Sequence, residues 1–293
     1  MAAGRTIIKK YGKHVAAIIG LLCILCITLL IYAFEIEPNW IEVTHTKIKI
    51  SSGEENFTCK LLVVSDFHSA SDEHQKFLEE LVKEINKISE KEKIETVIIL
   101  GDQIDYELKE VKFLAPLKNI KHKKVYAVLG NHDYGNGWSH KEIADEVERY
   151  MENSGINVMR NENLLACDEN VRIVGVDSLW ANQYDPGKAF TVNGTKEDTA
   201  GKKVPQILIS HNPDIIYVLG NKQPDLIISG HTHGGQVKIP FFGALSMPSK
   251  AGEVCPEGFC EVNGHEMYIT RGVGGNPRLR FLARPEISII ELE

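Results

Sequence analysis

The sequence predicts an α/β domain carried behind one N-terminal membrane-spanning helix. Three observations predict it. Five short apolar runs rich in β-branched residues each end in a polar cluster, as buried strands feeding a sheet edge do. Amphipathic helical patterns fill several of the intervals between them, which argues for an α/β sheet core. Near the N-terminus, Val15–Ala33 runs for 19 residues without a charge.

That apolar run is long enough to span roughly 28 Å as a helix, close to the hydrocarbon thickness of a bilayer. Lys9, Lys10 and Lys13 precede it, and Glu35 and Glu37 follow it. The positive-inside rule then puts residues 1–14 in the cytoplasm and everything after the helix outside the cell membrane. A cleaved signal peptide is the rival reading. The run is long for a signal peptide, and no small-x-small site follows it, so an uncleaved anchor at 15–34 is expected. Neither Cys23 nor Cys26 follows a small residue, which argues against a lipoprotein.

The chain has 293 residues, 43% of them hydrophobic, enough for one sizeable domain. The net charge is −7 and unevenly distributed. Residues 1–34 hold four of the 33 basic side chains and no acid, so 29 bases face all 40 acids in the remainder. A soluble part this acidic is a poor nucleic-acid surface, since phosphate backbones need clustered Lys and Arg. It would need a metal to hold a phosphate. Cys59, Cys167, Cys255 and Cys260 are too few and scattered for a disulfide framework. Cys255 and Cys260 are close enough for a local disulfide in an oxidising compartment, with two free thiols as the alternative.

Glu35–Trp40 reads as a short linker, and residues 35–44 separate the anchor from a domain at 45–293. Ile41–Ile50 alternates like a strand. The five apolar runs are Leu61–Val64, Val97–Leu100, Val125–Leu129, Ile207–Ile209 and Leu226–Ile228. Phe77, Leu78, Leu81, Val82, Ile85 and Ile88 form one helical face. Ile143, Val147, Tyr150 and Met151 form another, closed by Gly155. Asn163–Asp177 and Glu261–Thr270 read as hairpins, the second around a type I′ Asn263-Gly264 turn. Lys188–Lys203 reads as a surface loop, and Ile287–Leu292 as a closing strand.

The strand ends carry Asp66 and His68, Asp102 and Asp105, Asn131-His132-Asp133, His211, and His231 and His233. Strand ends of an open α/β sheet share one edge, where ligands bind. Imidazole, carboxylate and amide oxygen suit Mn, Fe or Zn, whereas an all-carboxylate set would suit Mg or Ca. Alternation in Asp66-Phe67-His68 and in His231-Thr232-His233 would set both outer residues on one side of an extended segment.

The ordered set Asp66-x-His68, Gly101-Asp102, Gly130-Asn131-His132-Asp133, His211 and Gly230-His231-Thr232-His233 resembles the calcineurin-like metallophosphoesterase superfamily. All five motifs in order make a specific signal where one alone would be weak. The resemblance covers about residues 45–293. It implies a four-layer αββα sandwich with a dinuclear centre of two divalent ions at the sheet edge. Asp66, His68 and His233 would hold the first ion. Asn131, His211 and His231 would hold the second, with Asp102 bridging. His132 would be the catalytic histidine, oriented by Asp133. The two ions would activate a bridging water for in-line attack on a phosphoric ester. The anchor, Gly234-Gly235-Gln236 and Pro240–Pro248 look like the membrane-anchored bacterial branch. Some of its members are phosphodiesterases, and a related subgroup cleaves the pyrophosphate of UDP-2,3-diacylglucosamine.

The expected substrate is thus a phosphodiester, with a nucleotide-sugar or lipid-linked phosphate ester as the alternative. No protein partner is inferable. A non-catalytic, membrane-tethered metal-binding module is the rival from another class, and His132 disfavours it. Asp105 reads as a supporting acid or a surface residue. Trp138 and Trp180 read as aromatic packing before pocket lining. Arg271, Arg278 and Arg280 read as substrate contacts or as solvated or ion-paired side chains. His14, His45, His74, His122, His140 and His265 read as surface or interface residues. Pro240–Pro248 reads as a buried loop, with a lipid-tail contact as its alternative. Asn56 and Asn193 sit in glycosylation sequons that chance explains.

Overall fold

The computed structural model describes residues 2–50, 57–191 and 204–293. Both sequon asparagines and most of the 188–203 excursion lie outside the described residues. Helix α1 (Ala2–Ile31) contains the apolar run as far as Ile31, and the chain continues through a π turn at Tyr32–Ile36 and a 3-10 turn at Glu37–Asn39. By length and composition it can cross a membrane. Among the described residues its apolar side chains from Val15 to Ile31, Leu21 and Ile24 among them, are exposed.

In chain order, β1 (Glu42–Ile48) and β2 (Cys59–Val64) lead to α2 (Asp72–Glu92), β3 (Thr96–Leu100) and β4 (Val125–Val128). Then come α3 (Lys141–Asn153), β5 (Asn157–Val158), β6 (Glu162–Ala166), β7 (Val171–Gly175) and α4 (Pro186–Ala189). Strands β8 (Gln206–Ile209), β9 (Leu226–Ser229), β10 (Lys238–Ile239) and β11 (Gly243–Ala244) follow. The chain ends with α5 (Lys250–Val254), β12 (Gly258–Val262), β13 (His265–Ile269) and β14 (Glu286–Leu292). One six-stranded sheet has the order β1-β14-β2-β3-β4-β5, and the other β12-β13-β9-β8-β7-β6. Strands β2–β5 are mutually parallel, as are β7, β8, β9 and β13, so their C-terminal ends gather on common edges.

Period-two alternation builds the layers. Leu61, Val63, Ile98 and Leu100 of the first sheet meet Ile173, Ile207, Ile209 and Ile228 of the second in one buried cluster. Their alternates Leu62, Val64, Val97 and Ile99 pack outward under α2 and α3. Leu208, Ile227 and Met267 pack outward against Ile215, Ile216, Leu219 and Ala251. The result is the four-layer αββα arrangement, with a thinner helical layer over the second sheet. Helix α2 starts where the Ser71 side chain accepts from the His74 N–H, and it buries Leu78, Leu81, Val82, Ile85 and Ile88. It ends at Lys93, which adopts a left-handed conformation. Both hairpins form as read, β6–β7 and β12–β13, with Asn263 and Gly264 both at positive φ. His265 is a correction: it is buried on β13.

Residues 35–44 are short but not slack. They include the start of β1, which pairs in parallel with β14. The buried Glu37 carboxylate accepts from the Leu282 and Ala283 N–H groups at 2.9 and 2.6 Å. The Arg280 N–H donates to the Ala33 carbonyl at 3.0 Å, and Tyr32 meets Phe281 edge-on. Arg284 lies over the Trp40 ring at 4.2 Å. The end of α1 is therefore docked on the segment 278–284.

The cysteines correct the sequence reading. Cys59 is bonded to Cys167 as well as Cys255 to Cys260. Cys59 opens β2 and Cys167 follows β6, so this bond ties the two sheets at the edge remote from the strand ends that carry the polar motifs. It spans 108 residues, a separation at which cross-linking stabilises by about 5 kcal/mol in the chain-entropy account. We predict that the Cys59→Ala, Cys167→Ala double variant loses about 2–5 kcal/mol of unfolding free energy. Urea unfolding checks this, and the metal content of the folded variant should be unchanged.

Candidate metal centre

The polar motifs converge where the C-terminal ends of β2, β3, β4, β8 and β9 meet. Asp66, His68 and His233 bring one ligand atom each within 4.8 Å of one another, and so do Asp102, His211 and His231. Asp102 also groups with His68 and His132, so it stands between the two sets. Its Oδ2 lies 3.1 Å from His211 Nε2 and 3.6 Å from His68 Nε2. Asn131 is buried beside them with its Oδ1 unpartnered.

The backbone geometry differs from the extended alternation inferred from sequence. Asp66 (φ 61°), His68 (φ 46°), Asp102 (φ 52°), His231 (φ 69°) and His233 (φ 51°) are all left-handed. Each such residue costs roughly 1–3 kcal/mol where it is not glycine, and such strain concentrates at functional sites. Each chain turns sharply as it leaves its strand, and that turn, rather than pleat alternation, holds these side chains at the edge. Two glycines permit the close approach. A Cβ on Gly130 would sit 2.0 Å from Asp102 Oδ1, and one on Gly230 2.1 Å from Ser65 Oγ.

The electrostatics call for cations. Asp66 and Asp102 are buried, and among the described residues only histidines pair with them. Burial pushes the Asp66 carboxyl up, with the neighbouring Asp102 adding to it. Burial opposes ionisation of Asp102 too, but His211, His132 and His68 outweigh it and hold that carboxyl low. Asp66 Oδ1, His68 Nε2, Asn131 Oδ1 and His231 Nε2 are all buried without a hydrogen-bond partner. Orphaned polar atoms are expensive, and four of them at one place fit a bound divalent ion. His211 is oriented for ligation, because its Nδ1 lies 2.7 Å from the Leu100 carbonyl and its Nε2 faces Asp102. Burial, then His211, hold the His231 ring neutral, as metal ligation requires.

His132 is braced differently from the sequence expectation. Asp133 does not reach its ring. The Asp133 oxygens accept from the N–H groups of Gln103, Ile104 and Gly130 at 2.8, 3.2 and 2.8 Å, so this carboxylate ties the two loops together. The partner of His132 is Asp105. Its carbonyl lies 2.8 Å from His132 Nδ1 and its Oδ1 3.3 Å from the same atom. That oxygen is also 3.3 Å from His68 Nδ1, while Oδ2 accepts from Asn276 at 2.8 Å. Asp105 is thus a buried supporting acid rather than a surface one. Burial alone would raise its carboxyl, but hydrogen bonds from His132, His68 and Asn276 hold it well below the usual range. Burial lowers the basicity of His132, and Asp102 and Asp105 reverse this, carrying it up to about 9.

Several contributors carry no sequence signal. Tyr106 lies against the His132 ring at 4.3 Å with its hydroxyl 3.4 Å from Nε2. Arg280 is buried and is neither solvated nor ion-paired: it donates to the His233 carbonyl at 2.9 Å and to His233 Nδ1 at 3.2 Å. Arg271 pairs with Glu42, and Arg278 covers Phe77 while bonding to the Pro38 carbonyl. Trp180 stands edge-on to His231 at 4.3 Å and packs on Trp138, so both reach the rim of the centre. Tyr106 and Asn276 follow no motif. Arg280 was visible only as a basic residue.

The segment Pro240–Pro248 is a further correction. It is not a buried loop: β10 and β11 form a short hairpin with Phe241 fully exposed at its tip.

Comparison with known proteins agrees with this geometry. The calcineurin-like phosphoesterase family model matches residues 59–235. The chain is 27% identical to phosphodiesterase YaeI of Escherichia coli, over 89% of this chain and 92% of that one. It is 25% identical to UDP-2,3-diacylglucosamine pyrophosphatase LpxG of Chlamydia muridarum, with the same coverage. It is 32% identical to the metallophosphoesterase YkuE of Bacillus subtilis, over 89% of each chain. A family model spanning more than half the chain, on residues that gather into this centre, means that the chain belongs to the calcineurin-like phosphoesterase family of phosphoric ester hydrolases.

Proposed function

We propose that the protein is a membrane-anchored phosphodiesterase working with two divalent ions. Asp66, His68 and His233 hold the first, Asn131, His211 and His231 the second, and Asp102 is shared. The observation that carries this reading is that four buried, unpartnered polar atoms, Asp66 Oδ1 among them, gather where Asp66 and Asp102 have only histidines for partners among the described residues. A bound ion pair supplies an acidified water and offsets the charge of the substrate phosphate. Mn, Fe and Zn suit the mixed nitrogen and oxygen donors.

The protein's own groups supply the rest. The Asp105 carbonyl and carboxylate fix the His132 ring at Nδ1 and leave Nε2 free to act. His132 can deliver a proton from Nε2 to the leaving oxygen. The Tyr106 hydroxyl lies beside the same nitrogen and helps hold it. Trp180 and Trp138 limit access of water at the His231 side. A non-catalytic binding module would have no use for a histidine braced in this way.

The chain divides into a cytoplasmic segment at 1–14, an anchor at 15–34, a neck at 35–44 and the catalytic domain at 45–293. Two disulfides within that domain support an extracytoplasmic, oxidising location, as does the cluster of Lys9, Lys10 and Lys13 before the anchor. The similarity to LpxG favours a second substrate reading, a lipid-linked or nucleotide-sugar diphosphate.

The test is a metal-by-substrate screen on the full chain in detergent, purified without chelator. Mn-dependent hydrolysis of a chromogenic diester is expected, with about two ions per chain by elemental analysis. A protein that binds no ion and hydrolyses nothing would end this reading. Monoester, diester and lipid-diphosphate substrates compared side by side separate the two substrate readings. Asp102→Ala should lose both metal and turnover; full retention of both would remove Asp102 from the shared position. His132→Ala should keep its metal and lose about 10²–10⁴-fold in kcat. That loss should be smaller for a p-nitrophenyl ester than for an alkyl ester, because a good leaving group needs no proton. Asp105→Ala should weaken metal binding roughly 10–100-fold through His68.

A further inference from the structure

We propose that the β10–β11 hairpin is a second membrane contact, which seats the catalytic domain on the outer surface of the bilayer that α1 spans. The proposal rests on the anchor reading of α1. The hairpin carries Phe241 and Phe242 at 105% and 87% exposure, flanked by the exposed Ile239 and Leu245. Two adjacent aromatic rings wholly in water cost free energy that folding within the chain would normally recover. β10 and β11 pair on either side of them, so the rings are displayed at the tip of a hairpin.

What covers them follows from where the hairpin is attached. Val237 bridges Phe281 in parallel, and the Lys238 N–H donates to the Phe281 carbonyl at 2.9 Å. Phe281 in turn packs edge-on against Tyr32, at the end of the anchor. The exposed apolar surface is thus continuous with the point where the chain leaves the membrane. Leu282 and Trp40, 47% and 53% exposed, extend it around the neck. Trp40 under the Arg284 guanidinium is a pairing suited to the headgroup layer, where an aromatic body and a charged tip are both satisfied. A bilayer interface, rather than a second protein, is the occupant that this continuity selects.

The hairpin also reaches the metal centre. Gly235, two residues beyond His233, approaches Ala244 so closely that a Cβ there would lie 2.2 Å from the Ala244 Cβ. Seating the hairpin in the headgroup layer would hold the His233 side of the centre next to the lipid surface. A substrate with a phosphate at the headgroup level could then be reached without leaving the membrane.

The test uses nitroxide labels on the full chain in vesicles of phosphatidylcholine and phosphatidylglycerol. One sample carries the label on the native Cys23 and Cys26, which are free and exposed on α1. A second carries Phe242→Cys in a Cys23→Ala, Cys26→Ala background. A third carries Lys83→Cys in that background, on the exposed face of α2. Oxygen should relax the label at 242 more effectively than a water-soluble nickel chelate, as it should at Cys23 and Cys26. At position 83 the order should reverse. Nickel dominance at 242 with oxygen dominance at Cys23 and Cys26 overturns the proposal and leaves the anchor reading intact. Nickel dominance at all sites overturns both. Spin–spin broadening at 242 that survives dilution with lipid would mean that a second copy covers the hairpin, and would also overturn it.

Discussion

Two carboxylates, Asp66 and Asp102, are shut away from water with no lysine or arginine paired to them among the described residues, and the surrounding architecture answers to that constraint. A buried unpaired charge is tolerated only with a counter-ion or dense hydrogen bonding. Here the parallel strands of two sheets deliver histidines to the same edge. Left-handed residues at Asp66, His68, Asp102, His231 and His233 then turn the side chains inward, at a conformational cost that the core beneath must support. That core is supplied by strands buried on both faces. The layers are therefore the means by which strained loops are kept in register.

Support beyond the ligands follows the same logic. Four of the five imidazoles gathered there have something fixed behind them. The Leu100 carbonyl backs His211, Asp105 backs both His68 and His132, and Arg280 backs His233. Asp133 locks the Asp102 loop to the His132 loop through main-chain donors. These contacts remove rotational freedom before any ion arrives, which is where much of the affinity and selectivity of a metal site resides.

Much of this was legible in the sequence, for identifiable reasons. Strands announce themselves by short β-branched runs, and α2 by its apolar face, because periodicity is local. The ligand residues stood out because polar clusters at consecutive strand ends are rare by chance. What was not legible depended on long-range geometry. Cys59 and Cys167 are 108 residues apart, and only the facing of two sheets makes them neighbours. Extended alternation gave the right pairing of Asp66 with His68 for the wrong reason, since φ cannot be read from residue type there. Asp133 looked like the partner of His132 because it is adjacent in sequence, yet the turn points it the other way. The apolar run at Pro240–Pro248 specified hydrophobicity but not which side of the surface it would occupy.

Arg280 gives the neck a meaning beyond tethering. Its guanidinium grips His233, while its own main-chain N–H is held by the Ala33 carbonyl in the turn that follows α1. Removing the chain upstream of Ala33 would leave this acceptor in place, whereas a cut just after Ala33 would strip it from the main chain of a residue whose side chain holds the His233 ring. The turn after α1 thus reaches the back of the gathered histidines through Arg280, and a chain trimmed beyond Ala33 would lose that support.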